Sequence, residues 1–195
     1  MKKLTNIDKK YENFRWFFTS NGNLAVGGKS DEQNESVIRH FLKKNYFILH
    51  TSAPGSPFMI IQSENAEKKD IEETAIFCAC FSKQWKEGKK EIEVDVFKGE
   101  QIYKKKFMKI GTFGVNGEKE TLKIKPELVL VMQDGKLRAV PKTTKLEKFA
   151  EIKQGKLSKE EAAEKISKKI KQNYHFPFSK DEIMGAIPSD KLEVK

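Results

Sequence analysis

Phe14-Arg15-Trp16-Phe17-Phe18-Thr19-Ser20-Asn21-Gly22-Asn23-Leu24-Ala25-Val26-Gly27-Gly28-Lys29-Ser30-Asp31-Glu32-Gln33-Asn34-Glu35 places two strand signals, a turn and a helix start in direct succession. Asn21-Gly22 supplies the positive φ angles that a tight hairpin turn needs between two apolar runs. Gly27-Gly28-Lys29 leads into a helix start, where Ser30 and Gln33 make a capping-box pattern. Asp31, Glu32 and Glu35 put negative charge in its first turn. Val37, Ile38, Phe41 and Leu42 then recur at helical spacing, with Glu35, Arg39 and Lys43 on the other side. Tyr46 to His50 is strand-like, Pro54-Gly55-Ser56-Pro57 is a turn, and Phe58 to Gln62 resumes strand. The unit reads hairpin, Gly-rich turn, helix, strand, turn, strand.

These residues resemble the NFACT-R domain, found near the C-terminal end of ribosome quality-control factors related to eukaryotic NEMF and in free-standing small proteins. The resemblance rests on Trp16, Gly27, Gly28, Asn34 and Glu35, followed by His50, Gly55, Ser56 and Pro57, in order and at matching spacing. It continues through Glu73-Thr74-Ala75, Trp85-Lys86, Lys109-Ile110-Gly111-Thr112-Phe113 and the segment from Gly155 to Ile166. Lys29 departs from it, since Arg is common there, as does the region of Thr51-Ser52. What the resemblance implies is RNA binding tied to ribosome-associated quality control or translation, with rRNA or tRNA, including that of the large ribosomal subunit, as partner. The full-length factors carry a long N-terminal region and a coiled coil that this chain lacks. A free-standing relative or an excised domain is expected, unable to extend stalled peptides alone.

The totals agree with a polyanion partner. The 195 residues carry a net charge of +10, and Arg occurs only at 15, 39 and 138. Lysine is a hydrated point charge suited to phosphates, whereas bidentate base reading recruits Arg. Charge alone also admits double-stranded DNA. A hydrophobic content of 37% is enough for a core. No signal peptide or membrane-length apolar run is visible, the longest apolar stretch being Ala75 to Phe81, so a cytoplasmic protein without membrane contact is expected.

Charge is segregated along the chain. Lys98 to Lys145 holds twelve basic and five acidic residues, whereas Ser63 to Phe97 holds six and nine. The basic section predicts short strands around Asn116-Gly117 and Asp134-Gly135 turns. Lys104, Lys105, Lys106, Lys109, Lys119, Lys123 and Lys125 are the candidate phosphate-binding residues, with Lys29, Arg39 and His50 adding contacts beside the first helix. The rival to this patch is a Lys-rich solubilising surface.

The remaining elements complete an α+β class, a mostly antiparallel sheet packed on a buried central helix with a C-terminal helical extension. Residues 1–145 are expected to form the core, with 1–12 a loose arm or short helix, and 146–195 the extension. Ile71 to Glu87 predicts one helix, apolar nearly all round and stopped by Gly88. Ile92, Val94 and Val96 alternate as a strand. Ser158 and Ser179 start the two tail helices, and Tyr174, Phe176 and Phe178 are expected to dock the tail.

Catalytic and metal chemistry find little support. Cys78 and Cys80 fall about 200° apart around a helix, so one Zn²⁺ does not readily take both. His40, His50 and His175 show no metal spacing, and no Walker spacing follows Gly27-Gly28-Lys29. Glycines ahead of a helix can cradle a phosphate, yet Asp31 and Glu32 occupy that cap. Neither cofactor, metal nor catalytic motif is therefore expected. The alternatives kept open are an RNA-modifying or hydrolytic enzyme using Asp31, Glu35 and His50, and a protein-docking module on a ribosomal partner. Trp16, Phe17, Phe18 and Trp85 read as core or as base-stacking surfaces.

Overall fold

Antiparallel pairing organises the computed structural model, which describes residues 6–174 and 178–195. Met1 to Thr5, His175 and Phe176 lie outside the described residues. A 3₁₀-helix, Asn6–Asn13, leads into β1 (Arg15–Phe18), β2 (Leu24–Gly27), α1 (Asp31–Phe41), β3 (Phe47–Thr51) and β4 (Met59–Ile61). Next come α2 (Lys68–Cys80), the single-turn α3 (Lys83–Lys86), β5 (Ile92–Lys98), β6 (Ile102–Tyr103), β7 (Gly114–Val115) and β8 (Glu120–Ile124). The chain ends with β9 (Leu128–Gln133), β10 (Lys136–Pro141), β11 (Ala150–Leu157), α4 (Lys159–Asn173), α5 (Lys180–Ala186) and β12 (Leu192–Val194). The class is α+β.

Three sheets result: six strands in the order β1-β2-β4-β3-β5-β8, four in the order β10-β9-β11-β12, and the short pair β6-β7. α2 lies between the two larger sheets. Phe77, Cys78 and Ala79 join Phe17, Leu49, Met59, Ile61, Val94, Val129 and Val131 in one buried cluster. Cys80 turns instead toward Trp85, Leu130, Ile152, Ile166 and Leu192. The two cysteines thus serve different halves of the core, as their spacing predicts, and burial pushes the Cys78 thiol up to about 12. α1 covers the other face of the six-stranded sheet through Val37, against Trp16, Val26, Ile48, Ile60 and Phe97.

Several local expectations change. The helix expected over 71–87 is two helices, because Ser82 interrupts it. Its Oγ donates to Ala79 O at 2.7 Å and accepts from Trp85 N at 3.3 Å, ending one helix and capping the next. Asn116-Gly117 does not join two strands of one hairpin; β7 pairs with β6, and β8 with β5. Asp134-Gly135 does, with φ of 49° and 73° between β9 and β10, as a mirror-image turn requires. The tail contributes two strands as well as two helices, so the four-stranded sheet draws β9 and β10 from before residue 145 and β11 and β12 from after it. Of the loose arm or short helix expected over 1–12, the described part is the short helix, held by Tyr11, which is buried edge-on to Trp16 at 5.1 Å and donates to Asp134 at 3.0 Å.

The hairpin joining β1 and β2 is tied to α2 by two buried carboxylates. Asp70 accepts from Thr19 Oγ1, from Asn21 Nδ2 and Asn23 Nδ2 at 3.2 and 3.0 Å, and from Glu67 N at 2.9 Å. Glu73 accepts from Ser20 N at 2.7 Å, Ser20 Oγ and Thr143 Oγ1. Gln133 completes the clamp through Phe18, accepting from its N–H at 2.8 Å and donating to its carbonyl at 2.7 Å. Burial would raise the Asp70 pKa, but the hydrogen bonds from Thr19, Glu67, Asn21 and Asn23 hold it below the ordinary carboxylate value. Asp70 therefore stabilises the fold above the unfolded-state value of about 3.9 and loses that contribution as pH falls through its lower folded value. Asp70→Ala is predicted to cost about 2–4 kcal/mol in urea unfolding at pH 7, since it strands several buried donors. A loss under about 0.5 kcal/mol would contradict the clamp.

Candidate nucleic-acid interface

Three distant turns meet at the N-terminus of α1. Asn34 Oδ1 accepts from Phe58 N at 3.1 Å, and its Nδ2 donates to Ser56 O at 3.4 Å. Ser56 Oγ accepts from Thr51 N at 3.0 Å, closing the turn on itself. Gly55, at φ +101°, accepts from Lys83 N at 2.7 Å, which fastens the turn to α3. Gly28 has to be glycine for lack of space: a Cβ there would lie 2.4 Å from Asn34 Oδ1 and 2.6 Å from Asn34 N. Gly28, Asn34, Gly55 and Ser56 of the sequence motif are thus the joints of one junction.

That junction opens into a groove of about 390 Å³ lined by Gly28, Ser30, Asn34, Gly55 and Ser56. Arg15, Lys29, Lys83, Lys86 and Lys159 also line it, against Asp31 as the one carboxylate. Among the described residues, no carboxylate lies within ion-pair distance of these five cations. Arg15 lies 4.4 Å from the Phe81 ring centroid, and burial lowers its pKa to about 10. Lys29 is lowered by burial and then by the charges of Arg15 and Arg138. Lys159 is lowered by burial and by Arg15, with Asp190 opposing and Lys86 adding to the effect. Cations that depress one another in a half-enclosed groove are a standing attraction for an anion.

Of the residues singled out from sequence, Lys29, Gly28, Asn34, Gly55, Ser56 and Pro57 line the groove. Arg39 is exposed on the last turn of α1. The Lys104 ammonium is occupied: it bonds Glu35, Lys109 O at 2.6 Å and Thr112 O at 2.9 Å, using all three donors. Lys119 pairs with Asp95, which also accepts from Ser52 and Thr121. Both are structural ties, because each meets a carboxylate already held by other donors. Lys105, Lys106 and Lys109 are exposed beside α1, and Lys123 on β8 and Lys125 just after it are exposed at the sheet edge opposite β1. The lysines of residues 104–125 therefore occupy two separate places. Trp16, Phe17 and Trp85 are fully buried and so belong to the core.

His50 is stacked on Phe58 at 4.3 Å and donates from Nδ1 to Thr51 O at 2.7 Å. Burial lowers its pKa, with Thr51 and Asp95 opposing and Lys119 assisting. Arg15, Lys83, Lys86 and Lys159 were not legible as site residues, since chain folding alone brings them together. In the structure the Ser82 cap sets Lys83 and Lys86 on a single turn.

The fold and the motif residues place the chain among known proteins. Residues 13–117 match the NFACT protein RNA binding domain, and the chain belongs to that family. It is 28% identical to the archaeal Rqc2 homolog aRqcH of Methanocaldococcus jannaschii, over 99% of this chain and 30% of that protein. It is 26% identical to the ribosome quality control complex subunit NEMF of Homo sapiens, over 44% of this chain and 9% of that one. The chain thus spans under a third of the length of these relatives. Its fold resembles the C-terminal part of the fibronectin/fibrinogen-binding protein from Streptococcus suis, with a TM-score of 0.53 and 19% identity. That likeness covers 63% of this chain and 47% of the other.

Two outcomes follow for the junction. Gly28→Ala is expected to lower Tm by several degrees, because the new methyl meets helix backbone. His50 is expected to titrate by NMR below the ordinary value of about 6.5. Its folded pKa being depressed, stability falls as pH drops from that value through the folded one. A midpoint above 7 would contradict the buried, neutral imidazole.

Proposed function

We propose that the groove between α1, α3 and the start of α4 binds the phosphate backbone of RNA, without catalysis. The observation that carries this is the set Arg15, Lys29, Lys83, Lys86 and Lys159, gathered by family-motif turns and left without ion-pair partners among the described residues. A phosphate entering the groove relieves their mutual repulsion and gains charge-assisted hydrogen bonds from the lysine and arginine side chains. Lysine-rich contacts of this kind favour backbone and shape over sequence. The relatives are named as ribosome quality control proteins, and we take the partner here to be ribosome-associated RNA, rRNA or tRNA, in the cytoplasm.

The enzymatic alternative needs Asp31, Glu35 and His50 to converge. Glu35 is instead taken up by Lys104 and by Gly111 N at 3.0 Å. Burial would raise its pKa, but Lys104 and Gly111 hold it low. His50 is engaged with Thr51 and Phe58. These separate attachments favour binding over chemistry.

Lys29→Ala, Lys83→Ala and Lys86→Ala combined should weaken binding of a structured RNA at least tenfold near physiological salt. The slope of log affinity against log salt should fall in magnitude by about two, since each lost phosphate contact removes roughly 0.7–0.9. Lys123→Ala with Lys125→Ala serves as the comparison at β8. Should that pair flatten the slope while the groove triple leaves it unchanged, the site lies on β8 and the proposal fails.

A further inference from the structure

The connection between β6 and β7 carries the most exposed large apolar side chains among the described residues, Phe107 at 83% and Ile110 at 60%. Such exposure usually signals a loose loop, but this one is built. Lys104 Nζ donates to Glu35 and to the carbonyls of Lys109 and Thr112. Gly111 N donates to the same Glu35 carboxylate at 3.0 Å. Met108 N donates to Lys105 O at 3.0 Å, closing a turn that contains Phe107, and Thr112 N donates to Lys109 O at 3.1 Å, closing a second that contains Ile110. Phe113 packs on Phe58 at 5.3 Å, anchoring the return strand. A turn fixed from within therefore holds a phenyl ring out in water, 83% exposed among the described residues.

Its surroundings identify the occupant. Lys105, Lys106 and Lys109 are exposed around it, and Lys105 Nζ sits 6.0 Å from the Phe107 ring centroid. The turn also adjoins the groove. Gly111, at φ +75°, packs so closely on Asp31 that a Cβ would lie 2.7 Å from the Asp31 Cα, and Asp31 lines the groove. A flat ring flanked by ammonium groups, continuous with a phosphate-binding groove, fits one chemistry best: an unpaired base stacked on the ring with its neighbouring phosphates held by lysine. A base pair inside a duplex has both faces covered by its neighbours, and only a strand end leaves one open to such a ring.

We propose that residues 104–113 form a stacking finger for an unpaired RNA nucleotide at the edge of the basic groove. It rests on the RNA-binding reading above and adds that the bound RNA contains a single-stranded segment. Glu35 and Lys104 act here as positioning residues that hold the finger.

The test uses the intact chain with Phe107→Ala and Phe107→Trp, against a single-stranded oligonucleotide and a duplex of equal length whose ends are covalently closed and carry no open base-pair face. Phe107→Ala should weaken single-strand binding roughly five- to hundredfold, with an unchanged salt slope because no charge is removed. Duplex binding should stay within about twofold. In Phe107→Trp the new indole is exposed while Trp16 and Trp85 are fully buried, so its fluorescence should be quenched by the single strand alone. Both variants should keep the parent Tm, since the side chain is exposed. If Phe107→Ala leaves single-strand affinity unchanged while the groove triple still reduces it, the finger is wrong and the groove stands. If neither changes it, the RNA-binding reading fails as well. Equal loss on duplex and single strand, or loss only of binding to anionic lipid vesicles, would also overturn the finger.

Discussion

Asp70 and Glu73 hold the molecule's working parts in register. Both sit in the first turns of α2, and both are buried. Their acceptor oxygens take up donors from Thr19, Ser20, Asn21 and Asn23, so the β1–β2 turn cannot shift relative to the central helix. A carboxylate that accepts several neutral donors in a buried place is both fixed and fixing, because each lost donor leaves uncompensated charge. From that grip follow the position of Arg15 over Phe81 and the point where Gly27-Gly28 hands the chain to α1. Ser20 and Asn21, which read as ordinary turn residues, are in this light the contacts that seat the hairpin.

The distribution of charge follows from the same economy of partners. The fold consumes its carboxylates internally: Asp70 and Glu73 in the clamp, Glu35 in the β6–β7 turn, and Asp95 between Ser52, Lys119 and Thr121. Among the described residues, no carboxylate forms an ion pair with the basic residues of the groove. Lys29 and Lys159 are shifted downward by burial and by neighbouring cations, which is the signature of like charges held close by a scaffold that is stabilised elsewhere. A merely solubilising coat has no need to gather cations into a concavity. The exposed finger beside the groove supplies the complementary apolar element.

Much of this was legible in the chain. The antiparallel α+β class, the buried helix and the first helix with its Ser30 cap followed from spacing alone, and the cap is present as Ser30 Oγ accepting from Gln33 N. The family was legible from Trp16, Gly27-Gly28, Asn34-Glu35 and Gly55-Ser56-Pro57, because these are joints whose geometry tolerates few residues. What was not legible depended on distance in sequence. Counting lysines between 98 and 145 finds charge, but cannot tell that Lys104 and Lys119 are occupied by Glu35 and Asp95. The groove takes Lys83 and Lys86 from a segment whose net charge is negative, and Lys159 from the tail. β11 was hidden because Lys153, Gln154 and Lys156 dilute its alternation, and its pairing with β9 and β12 is settled only by tertiary contact.

The central claim is that three turns, distant in sequence, assemble one cationic groove that grips RNA. Ultraviolet crosslinking of the intact protein to RNA, followed by mass spectrometry of the attached peptides, tests it most directly. The account predicts adducts in peptides containing Lys29, Lys83 to Lys86 and Lys159 together, with those of the 104–113 turn beside them. Adducts confined to the β8 peptide carrying Lys123 and Lys125, with the groove peptides unmodified, would contradict it.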